Sequence, residues 1–177
     1  ECFQNSSSRT AFVDFEPYAP SSGDPASFVG APVKKNGELL GIVALQVSLT
    51  AINEIMQQRE GMGETGETYL VGSDKLMRSD SYLDPENHSV VASFKNPTTG
   101  GVDTRASREA LAGKEGHEII IDYNGNPVLS SYSPLHVGDE TWAILAEIDK
   151  AEAYASVRAL QWVIGVVCVV AAVGIVL

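Results

Sequence analysis

Thr141-Trp142-Ala143-Ile144-Leu145-Ala146-Glu147-Ile148 reads as a strand, and Asp149 starts a helix that enters Val163-Ile164-Gly165-Val166-Val167-Cys168-Val169-Val170-Ala171-Ala172-Val173-Gly174-Ile175-Val176-Leu177. Nothing after Gln161 is polar or charged. From Ala159 onward the run, at about 1.5 Å per residue, approaches the roughly 30 Å of a bilayer core. The chain stops while still apolar, so it is expected to end inside the membrane. The alternative is a buried core helix, but an unbroken run of Val, Ile, Ala and Gly lacks the polar face of a surface-packed helix. A folded domain joined through a short helix to a span suggests a device that reports outside conditions to the inside.

The 177 residues, 44% apolar and 20% charged, suffice for one or two globular modules. A formal charge of −11 argues against nucleic acid and other anionic partners. Cys2 and Cys168 are poor disulfide partners and have no metal-site spacing. Glu1-Cys2-Phe3 looks like a start in mid-domain, so the chain is read as a piece of a larger receptor, truncated at both ends.

Thr10 to Tyr18 is expected to be extended. Asn36-Gly37 marks a hairpin between strands Ala26–Lys34 and Glu38–Ser48, because both turn positions favour positive φ. The second of these strands is mostly apolar and is expected to be central. Thr50 caps a helix through Arg59, with Gly61 as its stop. Strands Thr68–Val71 and Leu76–Ser79 flank a turn, and 80–101 is a long turn-rich segment of the kind that is often functional. Asp103 or Thr104 caps a helix to Ala112. Strands Glu118–Tyr123, Pro127–Leu135 and the one from Thr141 complete an antiparallel sheet. Gly23-Asp24-Pro25…Pro32 is echoed by Gly125-Asn126-Pro127…Pro134, each leading to an apolar strand and then a helix. That agreement argues for two modules.

Gly61-Met62-Gly63-Glu64-Thr65-Gly66 matches the dinucleotide fingerprint GxGxxG. The fingerprint needs a strand before it and a helix after it, and here the order is reversed. The glycines are instead a tight connection between modules. His88, His117 and His136 have no ligand spacing and are expected at the surface or in loops; Glu115, Glu118 and Asp122 read as a solvated face. No nucleophile elbow, zinc-peptidase or phosphate-loop motif occurs. No catalytic residue, metal ligand or cofactor is assigned, and the chain is not expected to be an enzyme. Arg78 offers a fork of donors to a ligand carboxylate at a pocket mouth, or else a salt bridge to Asp80 or another local acid. Tyr132 shares a face with Ser130 and Val128, lining a small polar cavity or serving as core with a satisfied hydroxyl.

Gly63-Glu64-Thr65-Gly66-Glu67-Thr68-Tyr69-Leu70-Val71-Gly72, Leu76-Met77-Arg78-Ser79-Asp80-Ser81, Asp122 to Leu135, and Trp142 to Asp149 resemble the membrane-proximal module of bacterial double-Cache (PAS-like) extracytoplasmic sensors. The segment Val102–Leu111 looks most like the methyl-accepting chemotaxis receptor branch. The resemblance implies an α+β fold: PAS-like Cache modules with central antiparallel sheets flanked by helices, then a C-terminal transmembrane helix. Residues 1–48 would end a membrane-distal module, 49–61 connect, 62–149 form the proximal module, 150–162 a juxtamembrane helix, and 163–177 the start of a span. It also implies a small-molecule ligand, a bilayer, a homodimer, no nucleic acid, and a bacterial inner-membrane receptor whose sensor region is periplasmic or extracellular. The candidate ligand contacts are Arg78, Asp80, Ser130, Tyr132, Tyr18 and Gln46. Gln46 stands where amino-acid-sensing relatives often carry an Asp for the ligand ammonium, and its neutral amide weakens that case. The candidate relay is Trp142, Glu147, Asp149 and Arg158. The alternatives are the sensor region of a histidine kinase or nucleotide cyclase, or a docking module with no ligand of its own.

Overall fold

The computed structural model describes residues 2–176, with side chains at 4–155, 157, 158 and 160–167. A short helix, α1 (Cys2–Asn5), precedes an antiparallel three-stranded sheet of β1 (Ala11–Pro17), β2 (Pro25–Lys35) and β3 (Glu38–Gln46), in that order. Asn36 and Gly37 adopt φ of 52° and 87°, so the hairpin forms at the predicted dipeptide. β3 is not central. Among the described residues it pairs with β2 alone, and it leaves Leu40, Val43 and Leu45 exposed. An apolar run specifies a strand but not its neighbours, which is why the sequence misplaces it.

The next helix, α2 (Leu49–Met56), is capped by Ser48, whose Oγ accepts from Ala51 N–H at 3.2 Å. The expected cap at Thr50 lies inside it, and the helix ends well before Arg59. The second sheet has the antiparallel order β4 (Glu67–Val71), β7 (Glu140–Asp149), β6 (Pro127–Val137), β5 (Gly116–Ile121). The expected strand at Leu76–Ser79 reduces to one bridge between Val71 and Met77. The ladder stops because Leu70 N–H donates to the Ser79 hydroxyl, 2.9 Å, instead of to a backbone carbonyl. The long segment holds α3 (Val90–Lys95) and α4 (Pro97–Gly100). Thr104, with Ser107 in a reciprocal box, caps α5 (Arg105–Leu111), which packs on β6 and β7.

β2 and β6 both begin on the proline of the sequence echo and run for 11 residues into a hairpin. One apolar cluster spans both sheets: Phe15 of β1 joins Tyr69, Val71, Met77, Trp142 and Leu145. After β7 the chain forms α6 (Lys150–Ala153), breaks at Tyr154, and continues as α7 (Ala155–Val176). Among the described residues, no helix is long and apolar enough to cross a membrane. The expected start of a span at 163–177 has side chains beyond 167 that lie outside the described residues.

Candidate functional site

Strand alternation sends Glu67, Tyr69 and Val71 of β4 to the same buried face. Glu147 of β7 is the register partner of Glu67, and both residues are 4% exposed. Two carboxylates are thus set side by side on the inner face of the second sheet. Ser130 Oγ on β6 donates to Glu147 Oε1 at 2.7 Å, and Tyr69 Oη donates to Oε2 at 2.8 Å. Glu67 accepts from Ser81 Oγ at 2.7 Å, from Tyr82 N–H at 3.1 Å and from the Tyr123 hydroxyl. Burial pushes the Glu147 carboxyl above the usual carboxylate range, against the lowering effect of Ser130 and Tyr69. Burial, and next to it the charge of Glu147, raises the Tyr69 hydroxyl well above its ordinary value; burial and Glu67 raise Tyr123.

Aromatic rings close the site. Tyr123 meets Tyr69 edge-on at 5.6 Å and His88 at 4.1 Å between centroids. His88 lies in a loop, one of its two expected positions, but is buried there, and its Nδ1 lies 2.8 Å from Asp84. Burial alone would raise Asp84, but hydrogen bonds from His88 and Asn87 hold it below the usual range. The arrangement is a buried acidic face whose named donors are hydroxyls and backbone amides. It is suited to a proton or a cationic group. Among the described residues, no three His, Cys, Asp or Glu side chains are grouped to hold a metal.

The candidate ligand contacts do not converge on one site. Arg78 does not stand at a pocket mouth. It is 2% exposed and grips Asp14 of β1 bidentately, Nε–Oδ1 and Nη2–Oδ2 both at 2.8 Å, with Asp74 at 3.0 Å. A break in the β1–β2 register between Val13 and Glu16 surrounds Asp14, as bulges re-aim side chains. A Cβ at Gly72 would overlap the guanidinium, so only glycine leaves it room. Burial alone would lower the Arg78 pKa; Asp14 and Asp74 hold it above its ordinary value. Of the two readings open in the sequence, this geometry is the salt bridge, made to Asp14 and Asp74 rather than to Asp80.

Asp80 is a structural junction. Its Oδ1 accepts from Val90 N–H at 2.8 Å, and it exchanges two bonds with the Asn53 amide of α2, at 2.7 and 2.8 Å. Ser130 belongs to the acidic face. Tyr132, on the same strand face, donates to Glu118 Oε1 at 3.1 Å and lines a groove of 420 Å³ with His117 and Ser133. Glu118 is half-buried and meets Arg105 at 3.2 Å, so it is not a simple solvated carboxylate. Tyr18 and Gln46 come together across Phe28 in the first sheet: Tyr18 stacks edge-on at 5.0 Å, and Gln46 is its register partner on β3. Tyr18 also lines a cleft of 150 Å³ with Val13 and Ala26.

Of the relay residues, Trp142 lies against Phe12 and Phe15 of β1, with centroids at 5.6 and 6.3 Å. Its indole Nε1 is buried without a hydrogen-bond partner. An orphaned donor costs about 1–3 kcal/mol, so Trp142→Phe removes a penalty along with some packing. Its net cost is expected to stay below about 1 kcal/mol, measured by urea unfolding. Asp149 N–H donates to Thr65 Oγ1 at 3.1 Å, and Arg158 caps back onto the Ala151 carbonyl. Glu67, Tyr123, His88 and Asp14 escaped the sequence reading. A Glu alternating with Tyr69 and Val71 was the visible signal for Glu67.

The sequence matches the Cache domain family dCache_1 over residues 3–157. The fold is similar to the periplasmic sensory domain of the Campylobacter jejuni chemoreceptor Tlp1, at 17% identity and TM-score 0.57, over 81% of this chain and 50% of that one. It is similar to the ligand-binding domain of the Pseudomonas aeruginosa amino-acid chemoreceptor PctB in complex with L-Arg, at 19% identity and TM-score 0.55, over 87% and 61%. It is also similar to an extracellular domain attributed to the histidine kinase mmHK1S-Z3, at 21% identity and TM-score 0.54, over 86% and 53%. The chain spans roughly half to three fifths of these solved domains.

Proposed function

This chain belongs to the Cache domain family, and from that premise we propose that it is part of the extracytoplasmic ligand-sensing region of a bacterial transmembrane chemoreceptor. The observation that carries this reading is the course of β7. It starts at Trp142 against the first sheet, passes Glu147 in the acidic face, and enters α6 and α7 without a loop. A ligand that prefers one arrangement of the sheets therefore acts on the strand that leads out; couplings of this kind are typically about 1–3 kcal/mol.

In this reading residues 1–48 belong to a distal module, 62–149 to a proximal one, and α7 enters the bilayer. The exposure of Leu160, Trp162, Val163, Ile164, Val166 and Val167 on α7 supports that entry, since lipid rather than protein would cover them. The receptor is a homodimer with its sensor region in the periplasm. Likeness to an amino-acid receptor favours amino acids or related small amines as ligands, and the acidic face fits their ammonium group. Likeness to a domain attributed to a histidine kinase supports a second reading, in which the same sensor drives a kinase.

A thermal-shift screen of the receptor region against amino acids, amines and organic acids tests the proposal. A ligand at about a hundred times its Kd adds roughly 2.7 kcal/mol of stability. No shift across the library overturns the sensor reading in favour of a docking module. The relay is tested with Leu160→Pro, in the interior of α7. It is expected to abolish signalling while binding persists. Ala155→Pro is the weaker test, because Ala155 is the first residue of α7, where proline is tolerated.

A further inference from the structure

The glycine-rich loop 61–66 is gripped from both sides. Arg59 donates to the carbonyls of Gly63 and Glu64 at 2.8 Å and to that of Gly66. From the other side, the Glu152 carboxylate of α6 accepts from the N–H groups of Glu64 and Thr65, both at 2.8 Å, and from Thr65 Oγ1. The same Thr65 oxygen accepts from Asp149 N–H, where β7 becomes helix. These bonds, the Thr65 hydroxyl first, hold Glu152 below the usual carboxylate range. Gly63 has φ of 70°, and a side chain there would occupy the place of the carboxylate.

Arg59 also contacts the segment that holds Glu67. Its guanidinium lies 4.1 Å from the centroid of the Tyr82 ring. The Tyr82 N–H, with that of Leu83, donates to Glu67, and Asp80, two residues earlier, is tied to Asn53 of α2. A continuous set of contacts thus runs from the segment over the acidic face, through Arg59 and the loop peptides, to Glu152.

We propose that loop 61–66 is a coupling hub, with Arg59 and Glu152 as the positioning residues that join the segment over the acidic face to the first turn of the output helix. A cation on the carbonyls and an anion on the amides of the same peptides polarise them in the same sense, so each grip strengthens the other. The meaning of α6 as output rests on the function proposed above; the mechanical coupling does not.

Hydrogen exchange read by mass spectrometry on the full chain tests it without ligand. Glu152→Ala is expected to speed exchange about ten-fold at 61–66 and at 149–155. The deciding variant is Arg59→Met, which removes the hydrogen bonds that Arg59 makes to the loop carbonyls and is expected to loosen 149–155 by a similar factor, with β6 unchanged. Arg59→Lys keeps the charge without the fork, guards against a variant that fails to fold, and is expected to fall between. Faster exchange confined to 61–66 in both Arg59 variants overturns the hub. Because no ligand enters the measurement, that result leaves the sensor reading standing, and a silent ligand screen leaves the hub standing.

Discussion

Replacing Arg78 with alanine is expected to destabilise the protein by about 3–5 kcal/mol, the range for breaking a buried ion pair from one side. The guanidinium is 2% exposed, and its main partner, Asp14, is 14% exposed at the side chain. Alanine would leave the Asp14 carboxylate half-buried, holding only a bond from Phe15 N–H among its named partners. It would also remove the ring contact to Phe94, with the guanidinium 5.3 Å from the centroid. At roughly 2–4 °C per kcal/mol for a chain of this size, Tm should fall by about 6–20 °C. Asp14→Asn should cost less, because Asp74 stays beside the guanidinium. A drop of only one or two degrees for Arg78→Ala, with weakened ligand binding, would mean that Arg78 is a ligand contact after all. The cross-sheet position of the pair makes the prediction informative: Asp14 is on β1 of the first sheet, and Arg78 follows β4 of the second. Losing the pair should therefore also separate the unfolding of the two sheets, visible as a broadened calorimetric transition.

The sequence carried β4 to β7 of the second sheet and the hairpin at Asn36-Gly37, though not the fate of Leu76–Ser79, because turn dipeptides and alternating patterns are local signals. The echo of prolines marked where β2 and β6 begin. What it missed is long-range. Nothing near Arg78 announces that its partner lies 64 positions away at an irregular point of β1. The edge position of β3 depends on which strands pair, and its own residues do not encode that. His88 is a loop histidine, but its burial was not legible because its surroundings are assembled from Asp84 and from Tyr123, which arrives with a distant turn. The acidic face was half legible. Glu147 sits in an otherwise apolar strand, and Glu67 alternates with apolar residues, yet their pairing follows from the β4–β7 register alone. The glycine loop does follow a helix and precede a strand, as read, but the grip by Glu152 comes from 87 and 88 positions away and has no local signature.

That pairing of acids leads to a pH dependence with a definite sign. Burial raises the Glu147 pKa in the folded chain above its ordinary value of 4.5, and the charges of Asp122 and Glu67 push the same way. The folded state therefore holds this proton more tightly than the unfolded state does. Its contribution is fully present below about pH 4.5 and is lost as pH rises through the higher folded value. Glu147→Gln should remove that loss. The glutamine carbonyl can still accept from Tyr69, and the Ser130 hydroxyl can turn to accept from the amide, so both bonds survive. The variant should match the native protein near pH 4 and exceed it at pH 7. A gain of about 1 kcal/mol, the scale of one hydrogen bond, would read as roughly 2–4 °C in Tm. Glu67→Gln is the contrasting variant. Three of the four bonds Glu67 accepts fall on Oε2, so a glutamine carbonyl can keep them while its amide meets the Tyr123 hydroxyl, and the exchange of charged for neutral hydrogen bonds should destabilise. Parallel pH profiles for the native protein and Glu147→Gln would show that Glu147 stays ionised in the fold. The acidic face would then be a preformed anionic site whose charge awaits a cation, rather than a site that holds a proton at its centre.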